Sequence, residues 1–279
     1  QQQQQQQPYS QSDPLPSYSS PPSVYPSPKH HHLAPPSFSQ APSPGVATAA
    51  AADASTCSCV VHETFGSVIR SDLTCSECGY ASTTHDPCLD VSLEVQKGAH
   101  MEHWQQSLRC ESVTLEECLQ RYIRPEQLGA QNLFCRRCNA HRKMAKQLSL
   151  RTLAPVICFH LKRFEHSAVR QHSSKIDAHI NFPLEDLDMQ PYLSSSVLRE
   201  RFGNRSIALD ERRDAKYTLF GVVTHSGELE GGHYRAFVKH GGEWFKVDDS
   251  VVERVDEATV RSVQAYLLFY ANTLTAPLP

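Results

Sequence analysis

Short runs in which apolar and polar residues alternate predict β-strands along much of the chain. In residues 90–95 and 155–162 the alternation places one set of apolar side chains on an inward face. Residues 217–270 contain four further β-prone apolar runs, which are separated by Gly pairs and short polar stretches. The pattern therefore predicts paired strands that are joined by tight turns.

A helical period replaces the alternation in one segment. Thr114 and Glu117 have the spacing of a capping box, and apolar residues follow at helical spacing as far as Tyr122. We therefore predict a helix from Thr114 to about Tyr122, with Cys118 on its buried side. Residues 194–214 are polar and charged, and this composition predicts a surface loop.

The first 55 residues have the composition of a disordered segment. A Gln tract, a Ser- and Pro-rich stretch and an Ala-rich end cannot bury enough apolar surface to offset chain entropy. The sequence begins with Gln and not with Met, which indicates a piece of a longer chain. The predicted organisation is a disordered segment, residues 1–55, followed by one folded domain, residues 56–279.

Composition narrows the class of partner. A formal net charge of −3 over 279 residues provides no basic surface for nucleic acid, which argues against a zinc-ribbon nucleic-acid binder. No apolar run approaches the roughly 18 residues of a membrane span, and no secretory leader is recognisable. These features favour a protein partner and an intracellular setting. The ten cysteines are therefore interpreted as metal ligands, reactive thiols or core residues.

Two Cys-x-x-Cys pairs give the strongest metal signal, Cys75 with Cys78 and Cys135 with Cys138. Each pair can bind one ion from a tight turn, and two pairs complete a closed tetrahedral thiolate site. We therefore predict two hairpin tips that the fold brings together around a structural zinc ion. A catalytic metal is not expected, because no coordination position stays open.

Three further potential ligands lie close together in sequence, at Cys57, Cys59 and His62. A fourth ligand is not evident, so two interpretations remain open. The three residues either bind a second zinc ion or form a core of two small buried thiols beside a histidine. Cys158 and His160 share one strand face, but a cysteine in such an apolar strand is interpreted as a core residue.

The segment 217–270 also contains a candidate catalytic pair. If Gly241-Gly242 is a two-residue hairpin turn, Asp248 is the diagonal neighbour of His233 on the same face of the sheet. A loop that is longer by one residue would instead put Asp249 opposite His233. Either acid can orient His233 for a nucleophile, His, Asp mechanism.

Two glycines, Gly231 and Gly232, precede His233. Residues without side chains leave room for an extended peptide to approach the backbone closely. This favours a site that acts on a peptide over an exposed hairpin that carries an isolated histidine.

In this order, the motifs resemble the C-terminal part of the ubiquitin-specific protease catalytic domain, a papain-like cysteine peptidase. The matching segments are Cys75-x-x-Cys78, residues 115–128, Cys135-x-x-Cys138, residues 153–164, Phe182-Pro183, residues 221–225, Gly232-His-Tyr, residues 244–249 and residues 265–270. The resemblance implies an α+β fold of the ubiquitin-specific protease type, with zinc-stapled fingers and a mainly antiparallel β palm. The thumb subdomain has no recognisable counterpart in the sequence.

The resemblance implies a thiol protease, a deubiquitinase that hydrolyses isopeptide bonds at the ubiquitin C-terminus. His233 would be the general base, Asp248 its orienting acid and Asp249 a supporting acid, and the four cysteines of the fingers would bind zinc. The family's nucleophile lies in a Gly-x-Thr-Cys-Phe/Trp box, and none of the ten cysteines has that context. The alternative is a non-catalytic, zinc-containing module that binds ubiquitin or serves as a scaffold.

Residues 57–75 and 82–93 are most similar to the branch that deubiquitinates histones within the SAGA coactivator complex. This narrower resemblance implies ubiquitin, a ubiquitinated protein such as a histone, and a SAGA-type complex as partners. It implies no direct contact with nucleic acid and no membrane. The implied location is the nucleus, with the cytoplasm as the alternative.

Overall fold

Strands make up most of the chain that the structure describes. The computed structural model describes residues 57–95, 113–128, 133–166, 173–203, 215–229 and 231–274. The strands are β1 Ser67–Cys75, β2 Ala81–Cys88, β3 Val91–Glu94, β4 Val113–Thr114, β5 Glu126–Gln127, β6 Leu133–Cys135, β7 Ala140–Arg142, β8 Met144–Thr152, β9 Val156–Lys162, β10 Phe164–His166, β11 Ser173–Lys175, β12 Ile180–Asn181, β13 Leu187–Asp188, β14 Lys216–Gly227, β15 Gly232–His240, β16 Glu243–Asp248, β17 Val251–Val255 and β18 Ala265–Asn272. The helices are α1 Val60–Phe65, α2 Leu115–Ile123, α3 Ser194–Phe202 and α4 Glu257–Ser262, and a 3-10 turn spans Gln190–Tyr192.

Within the described ranges, the largest sheet has eight strands. Seven follow the order β17-β16-β15-β14-β18-β9-β3, and β13 pairs with β14 at the side. The pairings are antiparallel except that of β3 with β9. Fully buried side chains on one face are Phe159, Leu161, Leu219, Leu268 and Tyr270. Burial of one such side chain contributes roughly 1.5–3 kcal/mol, so this face anchors the sheet.

A four-stranded sheet, in the order β2-β1-β8-β5, leads away to the two cysteine pairs. Cys75 ends β1 and pairs with Met144, the first residue of β8. Cys135 ends β6 in the β6-β7 hairpin, and Cys138 lies in the turn of that hairpin. The predicted convergence of two hairpin tips is confirmed.

Helix α2 confirms the predicted capping box. Thr114 Oγ1 accepts the backbone N–H of Glu117 at 3.1 Å, and Glu117 Oε2 accepts the backbone N–H of Thr114 at 3.0 Å. A cap of this kind stabilises a helix by about 1 kcal/mol. Leu115, Cys118 and Leu119 are buried, so the interpretation of Cys118 as a core residue is also confirmed.

The surface loop predicted for residues 194–214 is wrong in its first part. Ser194–Phe202 form helix α3, while residues 204–214 lie outside the described residues. Val197 is buried, and Arg201 Nη2 donates to Thr74 Oγ1 of β1 at 2.9 Å. These tertiary contacts hold a helix that the polar local sequence does not predict.

Helix α1 is a second element that the sequence pattern did not predict. Its last residue, Phe65, packs edge-on against Phe269 of β18, with ring centroids 6.4 Å apart. No residue of α1 is buried, so this packing is shallow. Among the described helices, none has the length and apolar character that a bilayer crossing requires. The predicted disordered segment, residues 1–55, lies outside the described residues.

Candidate active site and metal clusters

The β15-β16 hairpin brings His233 and Asp248 together. Gly241 and Gly242 form its turn with φ of 57° and 83°, a left-handed conformation that glycine adopts without strain. The predicted two-residue turn is therefore confirmed. Extended by one residue past its last pair, the strand register puts Asp248 opposite Arg235 and diagonal to His233.

The two side chains share a short hydrogen bond. His233 Nε2 lies 2.5 Å from Asp248 Oδ1, and an ionised carboxylate can only accept, so Nε2 carries the proton. The hydrogen bond from His233, and next the one from Arg235, lowers the pKa of Asp248. The other ring nitrogen of His233, Nδ1, forms no hydrogen bond with a described residue. His233 Nδ1 is therefore a free proton acceptor beside an ionised carboxylate.

Arg235 is a residue of this site that the sequence analysis missed. Its Nε donates to Asp248 Oδ2 at 2.6 Å, so both oxygens of the carboxylate are engaged. The signal that could have found it is its spacing, because residues two apart on a strand share a face. Arg235 follows His233 by two positions.

Asp249 lies beside this pair without joining it. It is exposed, has a left-handed φ of 50° in the turn after β16, and forms no hydrogen bond with another described residue. A carboxylate oxygen of Asp249 and ligand atoms of His233 and Asp248 all lie within 4.8 Å of one another. A protonated Nε2 has no lone pair for a metal ion, and both oxygens of Asp248 already accept hydrogen bonds. The arrangement therefore fits an acid–base pair better than a metal site.

The two glycines before His233 differ in their surroundings. A Cβ on Gly232 would lie 2.0 Å from His225 Nε2, whereas a Cβ on Gly231 would meet nothing within 4 Å. The predicted room for an approaching peptide therefore exists at Gly231. At Gly232 the same space is occupied by the imidazole of His225, which requires glycine there.

His225 belongs to an aromatic cluster beside the pair. Its ring centroid lies 5.6 Å from Phe164, 4.7 Å from Tyr234 and 5.7 Å from Tyr266. Burial, and next the charge of Lys175, lowers the pKa of His225. The ring is therefore neutral at pH 7, and it packs as an aromatic residue behind the glycine pair.

The four cysteines of the two hairpin tips form a tight cluster. Cys75 Sγ lies 4.0 Å from Cys138 Sγ, and Cys78 Sγ lies 3.6 Å from Cys135 Sγ. A tetrahedral zinc ion with Zn–S bonds of about 2.3 Å requires sulfur–sulfur separations of about 3.8 Å. Cys75 and Cys135 are each 1% exposed, and all four thiols are free. The cluster therefore has the ligands and the spacing of a closed metal site.

Backbone groups lie close to the sulfur atoms in both turns. The N–H of Cys138 points at Sγ of Cys135 at 3.4 Å. Backbone hydrogen bonding from Cys78, the largest cause, lowers the pKa of Cys75 to about 7. The side-chain hydrogen bond with Cys78, the largest cause, instead raises the pKa of Cys138 to about 12. Thiolates are the form that binds metal, so the first turn prepares Cys75 as a ligand.

The second group, Cys57, Cys59 and His62, is also assembled. Its ligand atoms lie within 4.8 Å of one another, and Cys59 Sγ lies 3.1 Å from His62 Nδ1. The hydrogen bond to His62 is the main cause that lowers the pKa of Cys59 to about 6. Both cysteines are exposed, so the alternative of two buried core thiols is wrong. The reason is that helix α1 has no buried residue, so the cysteines at its N-terminal end stay at the surface.

The other described cysteines lack the properties of a nucleophile. Burial raises the pKa of Cys88 and that of Cys158 to about 11, and it also raises the pKa of Cys118. Within the described ranges, no thiol is hydrogen-bonded to His233. Cys158 and His160 are half-buried, on the face of β9 opposite Ile157, Phe159 and Leu161, so the interpretation of Cys158 as a core residue is wrong.

Comparison with known families decides the class of protein. The family profile described as Ubiquitin carboxyl-terminal hydrolase matches residues 27–270. This chain belongs to the ubiquitin carboxyl-terminal hydrolase family. The match begins at residue 27, whereas the sequence analysis places the start of the domain at residue 56, and the residues between these positions lie outside the described ranges.

Curated hydrolases of this family align with most of the chain. Ubiquitin C-terminal hydrolase 22 of Arabidopsis thaliana is 39% identical over 236 residues, which cover 77% of this chain and 42% of that protein. Ubiquitin carboxyl-terminal hydrolase 27 of Homo sapiens is 40% identical over 228 residues, which cover 77% of this chain and 51% of that protein. The chain thus spans about half the length of the curated relatives it matches.

Solved hydrolase structures share the fold. The SAGA Ubp8/Sgf11/Sus1/Sgf73 DUB module bound to ubiquitin aldehyde has a TM-score of 0.62 and 33% identity, over 79% of this chain and 44% of that chain. A yeast SAGA DUB module with an Sgf73 mutant has a TM-score of 0.63 and 33% identity, over 84% of this chain and 46% of that chain. The predicted ubiquitin-specific protease family, its SAGA-type branch and the α+β papain-like fold are confirmed.

Proposed function

We propose that this chain supplies the general base and the orienting acid of a cysteine-type deubiquitinase, which hydrolyses isopeptide bonds at the C-terminus of ubiquitin. The observation that carries the proposal is the bond between His233 Nε2 and Asp248, which leaves Nδ1 free. Membership of the ubiquitin carboxyl-terminal hydrolase family supports the assignment.

The proposed proton transfers use the free Nδ1 of His233. His233 Nδ1 takes the proton of the nucleophilic cysteine, and the thiolate attacks the carbonyl carbon of the isopeptide bond. Protonated His233 then gives this proton to the lysine amine, which leaves as the C–N bond breaks and a thioester remains. Water, deprotonated by His233, hydrolyses the thioester and restores the thiol. Asp248 stabilises the imidazolium throughout, and Asp249 supports the negative potential around it.

Related structures support ubiquitin as the partner. The Ubp8 module has been solved with ubiquitin aldehyde, and a Ubp8 variant has been solved with monoubiquitin. By extension, we place a ubiquitinated protein, with a histone as the leading candidate, in the site of this chain. The same relation favours a SAGA-type complex as its assembly and the nucleus as its location.

Zinc is the metal that the four-cysteine cluster fits best. Cys75, Cys78, Cys135 and Cys138 would hold it with no open coordination position, so it would join two hairpins and take no part in hydrolysis. Cys57, Cys59 and His62 would hold a second zinc ion together with a fourth ligand that is still to be identified. The exposed position of this group suits a structural ion near the surface.

A ubiquitin that carries an electrophile at its C-terminus tests the proposal, because it bonds only to a thiol that the site activates. In a longer chain that includes the family's nucleophile box, we expect one labelled cysteine, identified by mass spectrometry, and labelling about 100-fold slower in His233→Ala. The 279 residues alone should stay unlabelled, because none of their ten cysteines has that context. His240→Ala is the matched control, since His240 is exposed at the turn end of the same strand. An adduct that forms equally fast in His233→Ala contradicts the proposed base.

The second candidate function is a non-catalytic, zinc-containing module that binds ubiquitin or serves as a scaffold. It is favoured by one observation, that within the described ranges no thiol is hydrogen-bonded to His233. This alternative predicts that the chain binds unmodified ubiquitin in a calorimetric titration while the electrophile leaves every cysteine of the longer chain free. A chain that neither binds ubiquitin nor reacts with the electrophile excludes both functions.

A further inference from the structure

We propose that Arg235 is a positioning residue that acts through Asp248, holding one carboxylate oxygen so that the other stays aligned with His233. The catalytic meaning of this arrangement rests on the proposed function. The arrangement itself involves only groups of this chain, so it is testable without ubiquitin and without a nucleophile.

The strand register places Arg235 closer to Asp248 than His233 is. Arg235 is the residue directly across from Asp248 when the β15-β16 pairing is extended by one position, whereas His233 is only its diagonal neighbour. Diagonal partners across a sheet are farther apart than direct partners, so the diagonal contact depends more on side-chain orientation. The direct partner is thus placed to set the orientation of the carboxylate.

The contacts use opposite oxygens of Asp248. His233 Nε2 lies 2.5 Å from Oδ1, and Arg235 Nε donates to Oδ2 at 2.6 Å. The terminal torsion of an aspartate is broad, so a carboxylate held at one oxygen rotates readily. A carboxylate held at both oxygens cannot rotate without breaking a charge-assisted hydrogen bond. Arg235 therefore limits the rotation that would misalign His233.

Among the described residues, Arg235 is the one Lys or Arg side chain that forms an ion pair with Asp248. Lys246 lies two residues before Asp248 on the same strand, but its Nζ pairs with Glu253 Oε2 at 3.1 Å. The orienting role thus falls to Arg235.

The exposure of Arg235 and Asp248 indicates that their ion pair orients the carboxylate more than it stabilises the fold. The side chains of Arg235 and Asp248 are 39% and 25% exposed, and ion pairs screened to this degree add little to the stability of a fold. The same screening weakens the repulsion between the guanidinium and a protonated His233. Hydrogen-bond geometry is not screened in this way, so alignment is the main consequence of the contact.

The test measures two properties of the 279-residue chain by NMR: the tautomer of neutral His233, from imidazole nitrogen shifts, and the titration of the Asp248 carboxyl carbon. Arg235→Gln removes both the hydrogen-bond fork and the charge. We expect a loss of the single Nε2–H tautomer and a rise in the pKa of Asp248 towards its ordinary value, because one of its two hydrogen-bond donors is gone. Arg235→Lys keeps the charge but not the hydrogen-bond fork, so we expect the tautomer to become mixed and the pKa of Asp248 to rise less than in Arg235→Gln.

Arg254→Gln is the matched control. It removes a guanidinium from another ion pair of the same sheet, that of Arg254 with Glu243 at 2.6 Å, and should change neither property. A folded Arg235→Gln chain that keeps the wild-type tautomer overturns the proposal. If that variant does not fold, the Lys variant decides in the same way, because an unchanged tautomer there shows that charge alone suffices.

Labelling of the longer chain by the ubiquitin electrophile adds the catalytic readout. Misalignment of a catalytic group can cost about 100-fold in rate, so we expect labelling of Arg235→Gln to slow by about 10- to 100-fold. A longer chain that is never labelled counts against the proposed protease and leaves the NMR result decisive for Arg235. A labelled chain whose rate is unchanged in Arg235→Gln overturns the positioning role.

Discussion

The four-cysteine cluster and the His233–Asp248 pair are both built on hairpins, yet they differ in completeness. In the cluster, two hairpins far apart in sequence supply four thiols whose Sγ atoms lie within 4.8 Å of one another. In the pair, adjacent strands of one hairpin supply two groups, and their side chains are 41% and 25% exposed. Four thiols leave a metal ion no open coordination position, so the cluster is suited to a structural role. The pair leaves His233 Nδ1 free, so it is available for proton transfer.

The four-cysteine cluster and the His233–Asp248 pair also differ in what stabilises them. In the described residues, the hydrophobic cluster at the tips that carry the cysteines has three buried members, namely Cys75, Cys135 and Met144. Under the proposed function, their arrangement depends on a metal ion bound by the four thiols. The pair instead relies on the large sheet beneath it, where Phe237 and Trp244 of the same two strands are buried. Removing a cysteine of the cluster should therefore disturb the fold, whereas removing His233 or Asp248 should disturb the chemistry.

The largest effect is expected for Cys75→Ser. Structural zinc sites contribute on the order of 10–16 kcal/mol to the folding of small zinc-dependent peptides, so loss of one thiolate should remove the ion and unfold the tips. Zinc content by mass spectrometry and thermal unfolding measure both consequences. Cys88→Ser is the control, because Cys88 is half-buried outside the cluster and should leave zinc unchanged. Full zinc content in Cys75→Ser would rule out the site.

At the pair, Asp248→Asn should preserve the fold and abolish the chemistry. An amide can present N–H to the ring, which selects the wrong tautomer of His233, and the corresponding change in a serine protease lowers kcat about 10⁴-fold. The rate at which the ubiquitin electrophile labels the longer chain measures the loss, with unfolding followed in parallel. Glu243→Gln, at the turn end of the same strand, is the control. A labelling rate near wild type in Asp248→Asn would exclude its orienting role.

Substitutions of the two glycines before His233 test how tightly the backbone is packed at this site. Gly232→Ala places Cβ 2.0 Å from His225 Nε2 and should destabilise the chain by about 1–3 kcal/mol, because the imidazole is packed among aromatic rings. Gly231→Ala meets nothing within 4 Å and should stay within about 0.5 kcal/mol. Denaturant unfolding compares the two. Equal stabilities would show that His225 and the backbone oxygen of Ser226, which would lie 2.6 Å from the same Cβ, both adjust without cost.

The features that the sequence predicts correctly are those that depend on local patterns. Alternation predicts the buried face of β9, and the Gly241-Gly242 turn sets the register that brings Asp248 to His233. The two-residue spacing of each cysteine pair predicts the cluster without knowledge of the intervening chain. Each of these features depends on a few neighbouring residues or on a single turn.

What the sequence does not predict depends on contacts between distant segments. Helix α3 is held by Arg201 against Thr74, a residue 127 positions away. Arg235 is important only once the register places it across from Asp248. His225 fills the space at Gly232 through the pairing of β14 with β15. In each case, the tertiary fold determines which residues are in contact, and the local sequence pattern does not predict the contact.

The smallest expected effect is the pH dependence of the pair. Hydrogen bonds from His233 and then Arg235 lower the pKa of Asp248 in the folded chain, so the unfolded chain binds this proton more readily. Ionised Asp248 therefore contributes stability that is fully present above its unfolded pKa and is lost as the pH falls through its folded pKa. Asp248→Asn lacks this contribution at every pH.

The stability difference between wild type and Asp248→Asn should therefore be constant near neutral pH and shrink on acidification. Denaturant unfolding over a pH series measures it. Acid also protonates the thiolates of the cluster and releases metal, but it does so in both proteins, so the difference isolates the pair. A difference that stays constant or grows as the pH falls would mean that the contacts to Asp248 do not favour its charged form.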